Sequence, residues 1–377
     1  MRVLQICAAY KPAFIYGGPT MSVSMLSEQL SKAGVYTEVY ATTANGKTEL
    51  NVAPNKPLDV DGVTVTYFKR ITKDHSHFSP ALLGKLWKEA NTFDVIHIHA
   101  WWNLVSLFSC LIGLVRNVPV VVSPRGTLSP YSFQNKNIGT KWLIHHLLGK
   151  PMLKRSIIHV TSKRESDAIA AIVTPKRIIN LPNFVKLPAE VPVACPTPDI
   201  FKLLFFSRVE EKKGLDILIN ALPFLTFPYR LTIAGDGNVN YVNEMKALAT
   251  KNAVDGNVIW AGFQSDNKFK LLREHQLLIL PSHDENFGNV IIESLSQGTA
   301  VLVSPFVGLC GYVIEKKLGW QCELNAAAVS NMINFIHGQQ EALNNIREKA
   351  PDIIHTDFDE VKLIKEYRDM YNTIING

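Results

Sequence analysis

Two glutamates, Glu285 and Glu293, bracket a Phe287-Gly288-Asn289 turn, a spacing suited to holding a phosphorylated, polyhydroxylated molecule. The stretch from Pro281 to Gly298 begins at the C-terminal end of a strand-like run, turns at Gly288 and continues as a helix that stops at Gly298. The first N–H groups of a helix have no intrahelical acceptor and lie at the positive end of its dipole. The backbone of Gly288, Asn289 and Val290 is therefore a natural seat for phosphate. With Glu285 before the turn and Glu293 inside the helix, one carboxylate can reach a sugar while the other accepts hydrogen bonds from ribose hydroxyls. Taken alone, both acids also fit a solvated loop and an exposed helix face, where most charged side chains lie.

A second constellation weighs against the solvated reading. Arg208 stands at the end of a strand-like run, and Lys213 precedes Gly214 and the next helical stretch. Two such cations can converge on a diphosphate and stabilise the negative charge that develops as it leaves. In the first half of the chain, His97 and His99 share one face of a strand, and Ala100-Trp101-Trp102-Asn103 follows it. A third metal ligand is missing near the two histidines, so a zinc site is disfavoured. The position of His99 at the strand end points instead to lining a site. Trp101 and Trp102 either pack on a sugar ring or fill a domain interface.

The elements that must position these residues alternate between strand and amphipathic helix, the pattern of doubly wound parallel sheets. In the first half, strands are expected at Val3 to Ala8, Thr37 to Ala41, Val63 to Phe68, Val95 to His99, Val118 to Ser123 and Ile157 to Thr161. A helix from Thr20 to Ala33 places Met21, Met25, Leu26 and Leu30 on one face, with Pro19 near its start and Gly34 at its end. Residues 181–198 contain five prolines, so this stretch reads as a linker. A second series follows, with strands at Lys202 to Ser207, Arg230 to Ala234, Val258 to Trp260, Leu277 to Pro281 and Ala300 to Ser304. The expected organisation is an N-terminal domain over 1–180, a linker over 181–199, a second α/β domain over 200–355 and a closing segment over 356–377. That last segment carries a helix from about Phe358 to Ile375, expected to pack back on the first domain.

A chain of 377 residues, 47% hydrophobic and 19% charged, suits two α/β domains. The opening residues Met1 to Ala9 read as a buried strand rather than a leader, and the apolar stretch Leu104 to Val115 is too short to span a bilayer. A cytosolic protein is expected. Five scattered cysteines, Cys7, Cys110, Cys195, Cys310 and Cys322, read as reduced thiols. Up to residue 185 there are 21 Lys and Arg against 10 acids, and beyond it 18 against 23. The net charge of +6 thus divides into +11 and −5, and the basic half is expected to face a membrane surface or a phosphorylated substrate. No basic, aromatic-interleaved module for nucleic acid is present. The segment Lys141 to Arg155 joins Trp142 and several leucines to four lysines and arginines, as either a membrane-surface helix or a core-facing helix with a solvated basic face.

Over essentially its whole length the chain resembles the retaining nucleotide-sugar glycosyltransferases of family 4, through Arg208, Lys213, Glu285 and Glu293 in the family's order. The resemblance implies two Rossmann-like domains facing across a cleft, the arrangement known as GT-B. It assigns Arg208 and Lys213 to the donor diphosphate, Glu285 to the transferred sugar, Phe287, Gly288, Asn289 and Val290 to the donor turn, and Glu293 to the ribose. Gly17-Gly18 looks like the family's glycine-rich loop, which lets backbone approach the donor phosphates. Where many relatives carry a histidine facing the donor sugar, this chain has Arg125, which suggests a cation for a phosphate. His99, Trp101, Trp102 and Arg125 are the implied acceptor or sugar-binding residues. The implied reaction is same-face transfer of a hexosyl group from a UDP-sugar to a saccharide acceptor, possible also on a lipid carrier at the inner leaflet in bacterial surface polysaccharide synthesis. No metal or other cofactor is expected. The competing readings are a nucleotide-sugar epimerase or hydrolase of the same fold, and a non-catalytic nucleotide-binding scaffold.

Overall fold

The computed structural model describes residues 1–134, 144–188, 200–264 and 267–377. They form two compact units, Met1–Phe184 with Glu360–Gly377, and Val185–Asp359. Residues 189–199 of the proline-rich stretch, with Cys195, and residues 141–143 of the basic segment lie outside the described residues. Residues 181–188 are not a bare spacer: Phe184 is buried in the core of the first unit and Val185 in that of the second.

In the first unit the strands are β1 (Arg2–Cys7), β2 (Tyr36–Thr42), β3 (Ala44–Asn45), β4 (Thr48–Glu49), β5 (Pro57–Val60), β6 (Val63–Phe68), β7 (Val95–His99), β8 (Val120–Ser123), β9 (Ile157–Val160) and β10 (Arg177–Asn180). Eight of them make one sheet in the order β10-β9-β8-β7-β1-β2-β6-β5, while β3 and β4 form a separate hairpin. All pairings in the large sheet are parallel except that of β5 with β6. The central strands are buried along nearly their whole length, which is why they read as continuous apolar runs. The strands the sequence did not reveal lie at the margins. Strand β5 opens on a proline and carries Asp59, and β10 has exposed polar residues at both ends around two half-buried isoleucines, as edge strands do.

The chain runs from β1 outward through β2 and β6, then returns to β7 on the other side of β1. Such a reversal opens a crevice at the C-terminal ends of the two strands. The loop after β1 holds Gly17 and Gly18, and the loop after β7 holds Trp101 and Trp102. The second unit repeats the plan with β11 (Phe201–Phe206), β12 (Tyr229–Ala234), β13 (Val258–Gly262), β14 (Leu277–Leu280), β15 (Ala300–Val303) and β16 (Gly319–Gln321), all parallel, in the order β13-β12-β11-β14-β15-β16. Its reversal lies between β11 and β14, whose following loops carry Arg208 and Lys213 on one side and Glu285 on the other.

The helix Leu104–Val115 is capped by Asn103, whose Oδ1 accepts the Ser106 N–H at 2.8 Å, and it is buried in the first core. Among the described residues no helix is long and apolar enough to cross a membrane. The helix Glu360–Asn376 belongs to the first unit. It buries Leu363, Tyr367, Met370, Tyr371 and Ile374, a 3.6-residue stripe, against Val3, Val95 and Val121. Cys7, Cys110, Cys310 and Cys322 are buried free thiols.

Beneath that helix runs a directed chain of hydrogen bonds. Arg125 can only donate, and its Nε–H bonds Nδ1 of His99 at 3.2 Å. His99 must then donate from Nε2, to Oε1 of Gln5 at 2.7 Å, and the Gln5 amide donates to the Tyr371 hydroxyl at 3.2 Å. Tyr371 donates to Nδ1 of His97, His97 Nε2 donates to Ser123 Oγ and Ser123 donates to Nδ1 of His159, each at 2.6 Å. His159 finally donates from Nε2 to the Leu181 carbonyl at 3.0 Å, which can only accept. Donor at one end and acceptor at the other fix the direction of every bond, so all three histidines are neutral Nε2–H tautomers. Burial, reinforced by neighbouring imidazoles and the Arg125 charge, holds His97 and His99 well below the ordinary imidazole range and His159 at about 3.

In the unfolded chain these rings titrate near 6.5, so below that pH the unfolded state binds protons the folded state refuses. Stability is therefore full above about pH 6.5 and falls as pH drops toward the folded values, by at most about 1.4 kcal/mol per pH unit for each ring. Thermal unfolding of the full chain is expected to show Tm falling between pH 7 and pH 5. A midpoint constant across that interval contradicts the tautomer assignment.

Candidate functional site

The second unit builds its site where two loops meet. After β11 the chain passes Arg208, forms one turn of 3₁₀ helix at Glu211–Lys213 and enters the helix Leu215–Ala221 through Gly214. Gly214 has φ of 67°, and a Cβ there would stand 2.0 Å from the carbonyl oxygen of Pro281. Only glycine permits this approach. The Lys212 carbonyl also accepts the N–H of His283 at 2.9 Å. The loop after β14 is thereby held against the loop after β11.

Consecutive lysines then meet consecutive acids. Lys212 pairs with Asp284 at 2.9 Å, and Lys213 pairs with Glu285. Asp284 is 1% exposed, so its charge depends on its hydrogen-bonding and ionic partners. The backbone of Glu285 is fixed as well: its N–H donates to the Phe306 carbonyl at 3.1 Å, and its carbonyl accepts from Gly308 at 2.8 Å. Lys213 is buried, whereas Arg208 is 54% exposed and pairs with Glu210 at 3.0 Å on its own loop. The two cations are therefore engaged by different acids rather than by each other's neighbour.

The turn at Gly288 is left-handed, and the helix Asn289–Leu295 follows. Glu293 is buried on that helix and pairs with Lys268, from the helix Lys268–Arg273. Phe287, expected to touch a donor, is instead buried in the core, edge-on to Phe358 with ring centres 6.3 Å apart. It anchors the turn. The sequence reading also passed over Gly235 and Gly237. A Cβ on either would lie 1.9 Å from a carbonyl oxygen of the loop carrying Arg208, those of Ser207 and Val209. Val209 N–H donates to the Asp236 carbonyl at 2.9 Å. The readable signal was the Gly235-Asp236-Gly237 run directly after a strand.

In the first unit, Gly17 takes φ of 66° and ψ of −136°, a conformation open to glycine, whereas Gly18 begins the helix Gly18–Lys32 with free space around it. Two aromatic and histidine assignments need correction. Trp101 is fully buried in the hydrophobic core, beneath Gly149, so it cannot stack on a sugar. His99 is 2% exposed with both ring nitrogens engaged, so it supports Arg125 rather than lining a surface. Trp102 is half-buried and donates from Nε1 to the Thr127 carbonyl at 2.6 Å, which ties it to the turn bearing Arg125. Arg125 itself is half-buried, with φ of 51°. Among the described residues no group of three His, Cys, Asp or Glu side chains is placed to hold a metal ion.

Two family models match the chain: Glycosyltransferase Family 4 over residues 16–187 and Glycosyl transferases group 1 over residues 197–352. The chain is 32% identical over 340 residues to the D-inositol 3-phosphate glycosyltransferase of Xylanimonas cellulosilytica, covering 79% of this chain and 78% of that one. Over 207 residues it is 32% identical to the lipopolysaccharide core biosynthesis glycosyltransferase LpsE of Rhizobium meliloti, 54% of this chain and 57% of the other. In structure it is similar to Anabaena HepE in complex with UDP-glucose, with a TM-score of 0.74, 19% identity and coverage of 99% and 100%. The chain belongs to the family 4 glycosyltransferases and has their two Rossmann-like domains, the GT-B fold.

Replacing Gly214 with alanine forces the Pro281 carbonyl away and strains the left-handed turn. The expected outcome is a loss of more than about 2 kcal/mol in denaturant unfolding. A variant of wild-type stability would show that the two loops do not need to approach so closely.

Proposed function

We propose that this glycosyltransferase moves a hexosyl group, with retention of configuration and without a metal ion, from a UDP-sugar to a saccharide acceptor. The observation that carries this reading is the Lys212–Asp284 and Lys213–Glu285 ladder at the β11/β14 crevice, beside the Gly288 turn. An incoming diphosphate competes with Glu285 for Lys213, since phosphate oxygens accept strong charge-assisted hydrogen bonds. Lys213 and Arg208 then balance the diphosphate, and the released Glu285 carboxylate accepts from hydroxyls of the sugar. Glu293, about one turn into the helix that follows Gly288 and held by Lys268, accepts from the ribose. As the bond from the anomeric carbon to the phosphate oxygen breaks, the acceptor oxygen bonds that carbon on the same face, and the leaving phosphate takes the acceptor's proton. The charge on the diphosphate is stabilised by fixed cations and helix N–H groups.

The UDP-glucose named for HepE supports a uridine donor, and the name of LpsE supports a place in surface polysaccharide assembly. A lipid-linked acceptor at the inner face of the cytoplasmic membrane is supported by the short helical stretch His145–Arg155. There Leu147 is 66% exposed and Leu148 is also exposed, close in sequence to Lys150, Lys154 and Arg155.

Glu285→Gln keeps the shape of the side chain and removes its charge; turnover should fall at least about a hundredfold in a variant that still folds, with a lowered unfolding midpoint because Lys213 loses its partner. Unchanged turnover in a folded variant sinks the role given to Glu285. Turnover should persist in excess EDTA, and proton NMR of the product should show the donor's anomeric configuration. The protein should also sediment with anionic vesicles at low salt, and failure to do so removes the membrane clause.

A further inference from the structure

Among the described residues the Arg125 guanidinium hydrogen-bonds only neutral groups. Its Nε–H donates to His99 Nδ1 at 3.2 Å and its Nη1 to Asn183 Oδ1 at 2.8 Å. The first acceptor is a neutral imidazole and the second an amide. Among the described residues no carboxylate pairs with Arg125. The carboxylate of Glu165, buried nearby, accepts the N–H groups of Gly126 at 2.8 Å and Thr161 at 2.9 Å, so it braces the turn that carries Arg125. Glu165 offsets part of the Arg125 charge through space, but the guanidinium forms no ion pair, and a cation held out of water is stabilised further when an anion bonds it directly.

The surroundings hold the guanidinium in place. Its Nε is the donor end of the chain that runs through His99, Gln5, Tyr371, His97, Ser123 and His159 to the Leu181 carbonyl. Turning the side chain away would leave that chain without its donor. Arg125 and Ala100, in the turns after neighbouring strands β8 and β7, both have left-handed backbone, with φ of 51° and 64°. Such conformations cost on the order of 1 kcal/mol each and cluster at binding sites. Among the described residues two of the five N–H donors have acceptors, which leaves those on Nη2 and the outer edge of Nη1 for a ligand.

We propose that Arg125 is the receptor for an oxyanion, phosphate or carboxylate, carried by a sugar substrate, bound two-pronged through Nη1 and Nη2. The proposal rests on the transferase reading above and narrows it: one of the sugars handled by this enzyme is anionic.

Calorimetric titration of the full chain with glucose, glucose 1-phosphate, glucuronate and, separately, UDP tests it. The wild type should bind at least one anionic sugar about tenfold or more tighter than glucose. Whichever is favoured distinguishes phosphate from carboxylate. Arg125→Gln should abolish the preference and leave UDP affinity unchanged, while Arg125→Lys, which keeps the charge without the fork, should retain only part of it. If Arg125→Gln does not fold, the lysine variant is the one read. A wild type with no preference, or a preference undiminished in both variants, overturns the proposal. Failure of the wild type to bind UDP counts against the transferase reading alone, because the anionic and neutral sugars are compared without it.

Discussion

The approach of the Gly214 turn to the Pro281 carbonyl is the constraint on which the second unit's chemistry depends. A parallel sheet delivers its loops to one edge, but loops at neighbouring strand ends do not touch unless something removes the side chain between them. Gly214 does so, and the 2.0 Å that a Cβ would leave measures how little room there is. Lys212 and Lys213 are carried across to Asp284 and Glu285 as a consequence. Gly235 and Gly237 repeat the device one strand further out, pressing the β12 loop onto the chain that bears Arg208.

The two units treat charge in opposite ways. In the second, cations and carboxylates alternate, so each holds the other until a competing anion offers better geometry. In the reaction proposed above, a phosphate exchanges one ion pair for another and uncovers a carboxylate as it does so. In the first, Arg125 heads a single file of neutral rings, hydroxyls and amides and forms no ion pair among the described residues. Burial keeps those rings neutral, so they offer the arginine hydrogen-bond acceptors but no negative charge. The C-terminal helix takes part in both the packing and the polarity of this arrangement, through Tyr367 and Tyr371.

Much of the fold was legible because parallel central strands are buried on both faces and leave unbroken apolar runs. The stretches Val63 to Phe68 and Val95 to His99 were readable to the residue, as was the capped helix Leu104–Val115. Edge strands β5 and β10, half polar, left no such trace. For the site, strand-end position and residue type singled out Lys213 and Glu285, which the structure pairs directly. Residue type misled where aromatic rings were concerned: Trp101 and Phe287 look the same in sequence whether they stack on a ligand or fill a core, and both fill a core. The Lys212–Asp284 pair joins residues 72 positions apart, and the His99 support of Arg125 joins residues 26 apart. Only the topology brings such residues together.

The claim that a nucleotide-sugar enters at the β11/β14 crevice and remakes its ion pairs is tested most directly by amide hydrogen exchange on the full chain, with and without saturating UDP-glucose. Slowed exchange concentrated in residues 208–214 and 282–293 is the result this account predicts. Slowing absent from both segments at saturation, or confined to other parts of the chain, would contradict it.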